Sequence, residues 1–275
     1  MKVLWVFAHP EQRSLNGALR DEGLHELREL GHEYRQSDLY AMGFTPVVDK
    51  DDFSTQPHER LVVTAESKRA YQAAALSEDI RAEHAKLAWA DTLILQFPLW
   101  WYGMPAILKG WFDRVFVKGF GYGVSDPHDG RTLRYGEGRL AGKRAMVVVT
   151  VGAREAAVGP RGINGDLNDL LFPLQHGTLW YTGASVLDPF VVHGADRVSP
   201  EQYAAAAARL RGRLRSLPTS TPIPFRYQNK GDYAEDLVLR PEIAPGRTGL
   251  DVHRTDGATG AGRERMEGVR PAPIG

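Results

Sequence analysis

The chain has 275 residues and no cysteine. That absence excludes a disulfide framework, a zinc–thiolate site, an iron–sulfur cluster and a cysteine nucleophile. Neither sign of charge is in excess, because 34 Lys and Arg offset 34 Asp and Glu. The electrostatic ground for a nucleic-acid partner or an acidic membrane surface is therefore missing. No run approaches the roughly eighteen apolar residues needed to cross a bilayer, so no membrane insertion is expected. The stretch Met1–Pro10 is too short and too soon interrupted for a signal peptide, which leaves a cytoplasmic protein as the expectation. GxxxxGK[ST] and GxSxG are absent, which removes the motif grounds for a P-loop NTPase and for the nucleophile elbow of an α/β-hydrolase. GxGxxG is absent as well, since the loop after the first apolar run reads His9-Pro10-Glu11-Gln12-Arg13-Ser14-Leu15-Asn16-Gly17. Gly136, Gly138 and Gly142 precede a strand rather than follow one, the wrong context for a dinucleotide fingerprint.

What is present suits a packed core, because 43% of the residues are hydrophobic. Lys2–Ala8, Asp91–Phe97, Lys143–Val151 and Ala184–Val192 are short continuous apolar runs, as expected of strands buried on both faces of a parallel sheet. Glu33–Asp38 is a fifth candidate strand. Between them, Leu15–Leu30, Ile80–Ala90, Pro105–Val117, Gly165–Trp180 and Pro200–Leu217 carry helical spacing. Gly31 is a helix stop and Pro105 a first-turn proline. Alternating strands and helices predict a doubly wound five-stranded α/β sheet with helices on both faces, over residues 1–217. Prolines then space out an irregular extension, 218–253, whose Phe225, Tyr227, Tyr233, Leu237, Leu239 and Ile243 need a surface to pack on. The Gly-rich, polar stretch 254–275 is expected to be disordered.

In an open parallel sheet the ligand sits beyond the carboxyl ends of the strands, which selects three loops. The first places Ser14 and Asn16 at a helix start, where free N–H groups favour an anion, with His9 and Arg13 adding donors. Ser14 can equally be a plain N-cap. The second, Phe97–Pro105, carries Trp100, Trp101 and Tyr102 in a row. Three adjacent aromatics at a strand end cannot all enter the core, so they either stack on a planar ligand or plug an edge or dimer contact. The third, Thr150-Val151-Gly152-Ala153, offers a glycine where backbone can approach a ligand, or an ordinary turn.

These residues resemble a known family. His9-Pro10 with Ser14-Leu15-Asn16, the run Asp38–Met42, the block Gln96–Phe116 and the segment Gly162–Asn168 closely resemble the NAD(P)H:quinone oxidoreductases of the DT-diaphorase type, from Met1 to about His253. The resemblance implies a flavodoxin-like fold, bound FAD with FMN as the lesser alternative, NADH or NADPH as hydride donor, a quinone as acceptor, and a homodimer with sites at the subunit interface. Carried over, His9, Ser14, Leu15 and Asn16 hold the FAD pyrophosphate. Pro98, Leu99, Trp100, Trp101 and Tyr102, with Thr150, Val151, Gly152 and Ala153, frame the isoalloxazine. Trp101 and Tyr102 also face the substrate, and Tyr122 reaches over from the other subunit.

The departures from the family pattern are specific. Where the family carries a Tyr and, six residues on, a His that relay a proton, this chain has Val158 and Asn164. Asn can donate a hydrogen bond but cannot exchange a proton near neutral pH. A second pocket Tyr becomes Val124, a pocket Phe becomes Ala184, and a Gln near the adenine becomes Val62. Asn164, Trp101 and Tyr102 are the catalytic candidates, and Tyr122, Val124, Val158 and Ala184 the expected substrate pocket. The expected activity is hydride transfer from NAD(P)H through FAD to a quinone or other small aromatic electrophile. An FMN-dependent azo- or nitroreductase and a redox-sensing flavoprotein accessory to a transporter are the alternatives. Trp111, Phe112, Phe116 and Phe120, crowded behind the aromatic loop, are expected to contribute with Tyr122 to the dimer surface.

Overall fold

A computed structural model describes residues 1–53 and 60–255. Six strands form one parallel sheet. They are β1 (Lys2–Phe7), β2 (Glu33–Asp38), β3 (Thr92–Pro98), β4 (Arg144–Val151), β5 (Ser185–Val186) and β6 (Phe190–His193). The order is β2-β1-β3-β4-β5, with β6 also paired to β4. The single strand expected over Ala184–Val192 is thus two short ones. Pro189, which has no N–H to give the ladder, falls in the break between them.

Two cores flank the sheet, as period-2 alternation in buried strands requires. Val3, Trp5 and Phe7 of β1 face α1 (Leu15–Glu29) and α6 (Pro200–Ser216), meeting Leu19, Leu27, Leu210 and Leu214. Leu4, Val6 and Ala8 face the other way, toward α2 (Val63–Gln72), α3 (Glu78–Trp89), α4 (Ala106–Val115) and α5 (Leu167–Leu174). α2 has no counterpart in the sequence reading. Beyond α5 the chain widens into a π-helical turn, Gln175–Trp180, just after Pro173 interrupts the helix interior. Gly31 closes α1 at φ +69°.

Trp111, Phe112, Phe116 and Phe120 do not form a surface. All are buried in the chain's own core. Trp111 Nε1 donates to the fully buried Glu83 carboxylate at 2.9 Å, and Ser37 Oγ and Lys86 Nζ satisfy the same group. An aromatic with a polar handle goes inside when such a partner is there.

Residues 218–255 wrap back onto the core. Ile223 and Phe225 are buried in it, and Ile223 N–H donates to Val186 O at 2.7 Å. Arg226 is buried, donating from Nε to Val252 O and from Nη1 to Asp232, both at 2.8 Å. Phe225 bridges to Arg254. Arg254 and Thr255 are therefore tied down, while the rest of the stretch expected to be disordered, 256–275, lies outside the described residues.

The clasp of this extension is a stack of rings. His176 packs between Phe172 (4.5 Å, stacked) and Tyr135 (5.0 Å), edge-on to Phe225, with His253 at 5.5 Å. Tyr233 hydrogen-bonds His253 at 2.9 Å. Burial, then the positive charge of His253 and Arg254, pushes the His176 imidazole down to about 4 from an ordinary 6.5. Burial and Arg226 also lower His253. A histidine with a depressed folded pKa stabilises the fold fully above its unfolded pKa and loses that contribution as pH falls through it. The loss for His176 therefore runs from about pH 6.5 toward 4. Urea unfolding at pH 5 should show a loss on the order of 2 kcal/mol against pH 7 that His176→Phe removes. An unchanged pH slope in that variant would clear the imidazole of the role.

Candidate active site

The carboxyl ends of β1, β3 and β4 open into a cavity of about 650 Å³, within the range of small-molecule and cofactor sites. It is lined by His9, Ser14, Leu15 and Asn16 from the first loop, Pro98, Leu99, Trp100 and Trp101 from the second, Thr150 and Gly152 from the third, and Ala195 and Asp196. The parallel register sets Pro98 beside Thr150, and Leu99 N–H donates to Thr150 O at 2.8 Å. Two loops distant in sequence thereby share one rim.

One wall is the start of α1. Ser14 is its N-cap, its Oγ accepting from Gly17 N–H at 3.1 Å and donating to Glu11 O at 2.6 Å. His9 Nδ1 lies 3.0 Å from the same Oγ and accepts from Glu11 N–H. The cap and the cavity wall are one residue, so the two readings of Ser14 coexist. The N–H groups of Leu15 and Asn16, in the first turn, have no intrahelical acceptor to reach. Gly17 is obligatory, because a Cβ there would sit 1.8 Å from Gln12 O.

Asn16 is 4% exposed, and its Nδ2 donates to Thr150 Oγ1 at 2.9 Å. Its backbone carbonyl accepts from Gln96 Nε2 at 2.7 Å, and Gln96 Oε1 accepts from Trp5 Nε1 at 2.8 Å. Asn16 Oδ1 is buried without a partner. A buried amide oxygen left open beside first-turn N–H groups fits a polar, anion-bearing group entering from the cavity.

The opposite wall is aromatic and raised into solvent. Trp100 and Gly103 exchange both backbone hydrogen bonds at 3.0 Å, closing a two-residue turn over Trp101 and Tyr102. Both turn residues have left-handed φ, +47° and +62°, the backbone such hairpin turns demand and non-glycine residues resist. Trp101 is 96% exposed and Tyr102 about half exposed. Tyr102 Oη donates to Asn164 Oδ1 at 3.1 Å, leaving the Asn164 Nδ2 donors unengaged by that bond. The structure thus brings together Tyr102 and Asn164, which are 62 residues apart in sequence.

The other expected residues fall elsewhere. Tyr102, Val151 and Ala153 flank the cavity without lining it; Val151 is buried in the core. Val158 and Ala184 are 4% and 1% exposed and belong to the core, so neither lines the cavity as a pocket residue. Tyr122 and Val124 lie on the excursion after α4, where Tyr122 O accepts from Gly119 N–H at 2.7 Å, and take no part in this chain's own cavity. Val62, at the foot of α2, is 46% exposed. The sequence reading missed Ala195 and Asp196. They follow the carboxyl end of β6, a fourth strand-end loop that the same rule reaches from the expected strand ending at Val192. Asp196 Oδ2 would meet a Cβ on Gly152 at 2.8 Å, so this glycine lets the carboxylate close over the β4 loop. His193, ending β6, is held below its ordinary pKa by burial, and its Nδ1 has no hydrogen-bond partner among the described residues.

Comparison with known proteins identifies the fold and the family. Residues 1–215 match the family described as having a flavodoxin-like fold. A ribosyldihydronicotinamide dehydrogenase-like protein of Penicillium crustosum is 46% identical over 92% of this chain and 95% of its own length. NAD(P)H dehydrogenase [quinone] 1 of Cavia porcellus is 38% identical, covering 88% and 87%. The chain belongs to the flavodoxin-like NAD(P)H:quinone oxidoreductase family. A Klebsiella pneumoniae crystal structure described as "a Putative quinone reductase" superposes with a TM-score of 0.90, at 51% identity, over 92% of this chain and 99% of that one. Membership makes the protein an oxidoreductase. No helix among the described residues is long and apolar enough to cross a membrane.

In this oxidoreductase the amide of Gln96 is the pin between α1 and the sheet. Gln96→Leu keeps the volume but strands Trp5 Nε1 and the Asn16 carbonyl in a dry interior. The expected cost is about 2–4 kcal/mol in denaturant unfolding. A loss under about 0.5 kcal/mol would show that the pin is dispensable.

Proposed function

We propose that the protein takes hydride from NADH or NADPH and delivers it to a quinone or other small aromatic electrophile, with FAD as its resident group. The observation that carries the reading is the cavity itself. An anion-accepting helix start stands on one side, a raised aromatic hairpin on the other, and both sit at the carboxyl ends of the central strands. FAD, when bound, supplies the two-electron carrier. His9, Ser14, Leu15 and Asn16 would hold its pyrophosphate through the hydroxyl, the imidazole and the first-turn N–H groups. Pro98–Tyr102 and Thr150–Ala153 would frame the isoalloxazine, the aromatic rings offering it and the acceptor a stacking face and excluding water.

Asn164 defines what this chain does differently. Its carbonyl oxygen accepts from the Tyr102 hydroxyl, which leaves Nδ2 as the donor the amide has to offer a developing negative charge, although Asn164 stands beside the cavity and does not line it. It can stabilise that charge but cannot hand over a proton. We also assign the functional unit to a homodimer in the cytoplasm. Tyr122 and Val124, away from this chain's own cavity, are free to face the partner's, and Leu61, Val62, Val63, Leu237 and Val238 present apolar side chains to solvent.

The purified protein should be yellow, release FAD by mass, and sediment as a dimer at micromolar concentration. Full occupancy by FMN would overturn the cofactor assignment in favour of the azo- or nitroreductase reading. Asn164→His, which adds a group able to exchange a proton, should raise quinone turnover about tenfold and introduce a pH dependence near neutrality absent from the parent. Val158→Tyr should not help, because it forces a ring into packed core at about 1–3 kcal/mol. No gain from Asn164→His at normal FAD content, with any quinone, would separate this loop from the chemistry.

A further inference from the structure

A second cavity, of about 340 Å³, lies between α6 and the break separating β5 from β6. It is lined by Asp188, Pro189, Phe190, Val191, Arg209, Gly212 and Arg213 and shares no lining residue with the first. The arginines of α6 fall into two sets. Arg211 pairs with Glu22, and Arg215 pairs with Glu26 at 2.8 Å, so that set is spent holding α6 to α1. Arg209 and Arg213, one turn apart, have no carboxylate partner among the described residues. Each gives one nitrogen to a neutral carbonyl of the β5–β6 region. Arg209 Nη2 bonds Val191 O at 2.8 Å, and Arg213 Nη2 bonds Asp188 O at 2.6 Å. Arg213 Nη2 also lies 3.9 Å from Met146 Sδ; among the described residues Nη1 of each arginine, and the buried Nε of Arg213, have no protein acceptor. Arg209 also lies over the Phe190 ring at 5.2 Å, which gives the cavity a flat wall.

Gly212 is the independent sign. It sits inside a 17-residue helix, where glycine weakens the helix relative to alanine. A Cβ built there meets nothing within 4 Å, so no packing requires its absence. Gly212 lines the same wall as the two arginines, so a side chain there would project into open space rather than into packed atoms. Asp188 at the rim opposes a bare anion but suits one whose attached group carries a hydroxyl or amine.

We propose that this cavity binds a phosphate group, held by the Arg209 and Arg213 forks, with Phe190 and Pro189 against whatever the phosphate is attached to. Two pre-oriented guanidiniums match phosphate oxygens in geometry and charge. Inorganic phosphate and a phosphate monoester share this chemistry.

The test uses the FAD-loaded full-length protein at constant ionic strength, titrated with inorganic phosphate and, separately, with adenosine 5′-monophosphate, each followed by phosphorus NMR line width. Saturable binding is expected for at least one. It should weaken at least about tenfold in Arg209→Gln/Arg213→Gln, as losing charge-assisted bonds to phosphate requires. Tighter binding of the nucleotide assigns a phosphate monoester; equal or weaker binding assigns the free ion. Gly212→Ala gives a readout that a merely structural glycine would not move. The melting temperature should rise while phosphate affinity falls at least about threefold, as a methyl group enters the floor of the site. No saturable binding of either ligand, or affinities unchanged in both variants, overturns the proposal.

Discussion

The buried amide of Gln96 fixes the site, because it lies where a polar side chain is least tolerated. β3 is buried along its whole length, and an amide there must find partners or cost several kcal/mol. It finds them on both sides, Trp5 Nε1 from β1 and the Asn16 carbonyl from α1, and Asn16 carries the chain on to Thr150 of β4. Three neighbouring strands and the first turn of α1 are thereby held in one register. Trp5 can reach Gln96 because Gly23 clears α1 for its ring; a Cβ at Gly23 would lie 2.2 Å from it. The start of α1 and the aromatic rim are therefore set against each other through the core.

The aromatic rim runs against local backbone preference. Two successive left-handed non-glycine residues cost about 1–3 kcal/mol each. The strain persists because the paired Trp100–Gly103 hydrogen bonds and the Tyr102–Asn164 bond leave the turn no other closure. The result is a pre-set platform. The turn backbone under Trp101 and Tyr102 is set before any ligand arrives, while the exposed Trp101 ring keeps rotamer freedom that binding would remove. Glycine at either position would relax the turn and forfeit the rings.

Much of this was legible in residues alone, and the failures share a cause. β1, β3 and β4 declared themselves as unbroken apolar runs, and Ser14 and Gly31 bounded α1, because these signals are local. The split at Pro189 was legible in principle, yet an apolar run from Ala184 to Val192 outweighed one proline; Ala195 and Asp196 follow that run's carboxyl end in either reading and carry no motif of their own. α2 escaped because little of it is apolar: it buries Glu66, Ser67 and Ala70. The aromatics around Trp111 looked like a surface because nothing near them in sequence announces Glu83, which arrives from α3. Val158 and Ala184 were placed by family correspondence, which transfers positions but not volumes; here both positions are filled into the core.

Charge shows the same division between what composition reveals and what only folding reveals. The chain is neutral overall, and that is true of its sum alone. Arg114 is 5% exposed and bonded to Asp52 and Asp79, and it stacks over Phe44 at 4.8 Å, so it cements α3 and α4 to the loop after β2. Arg226 does the same for the extension with Asp232 and Val252. Buried arginines with complete partner sets specify geometry more than they add stability, since desolvation offsets much of the attraction. Once these are set aside with the surface pairs, the arginines whose partners among the described residues are only neutral groups stand apart. Arg209 and Arg213 belong to that group, and neutrality of the whole chain gives no hint of them. A residue's charge becomes informative only after its neighbours are known, and that is the step from sequence to structure.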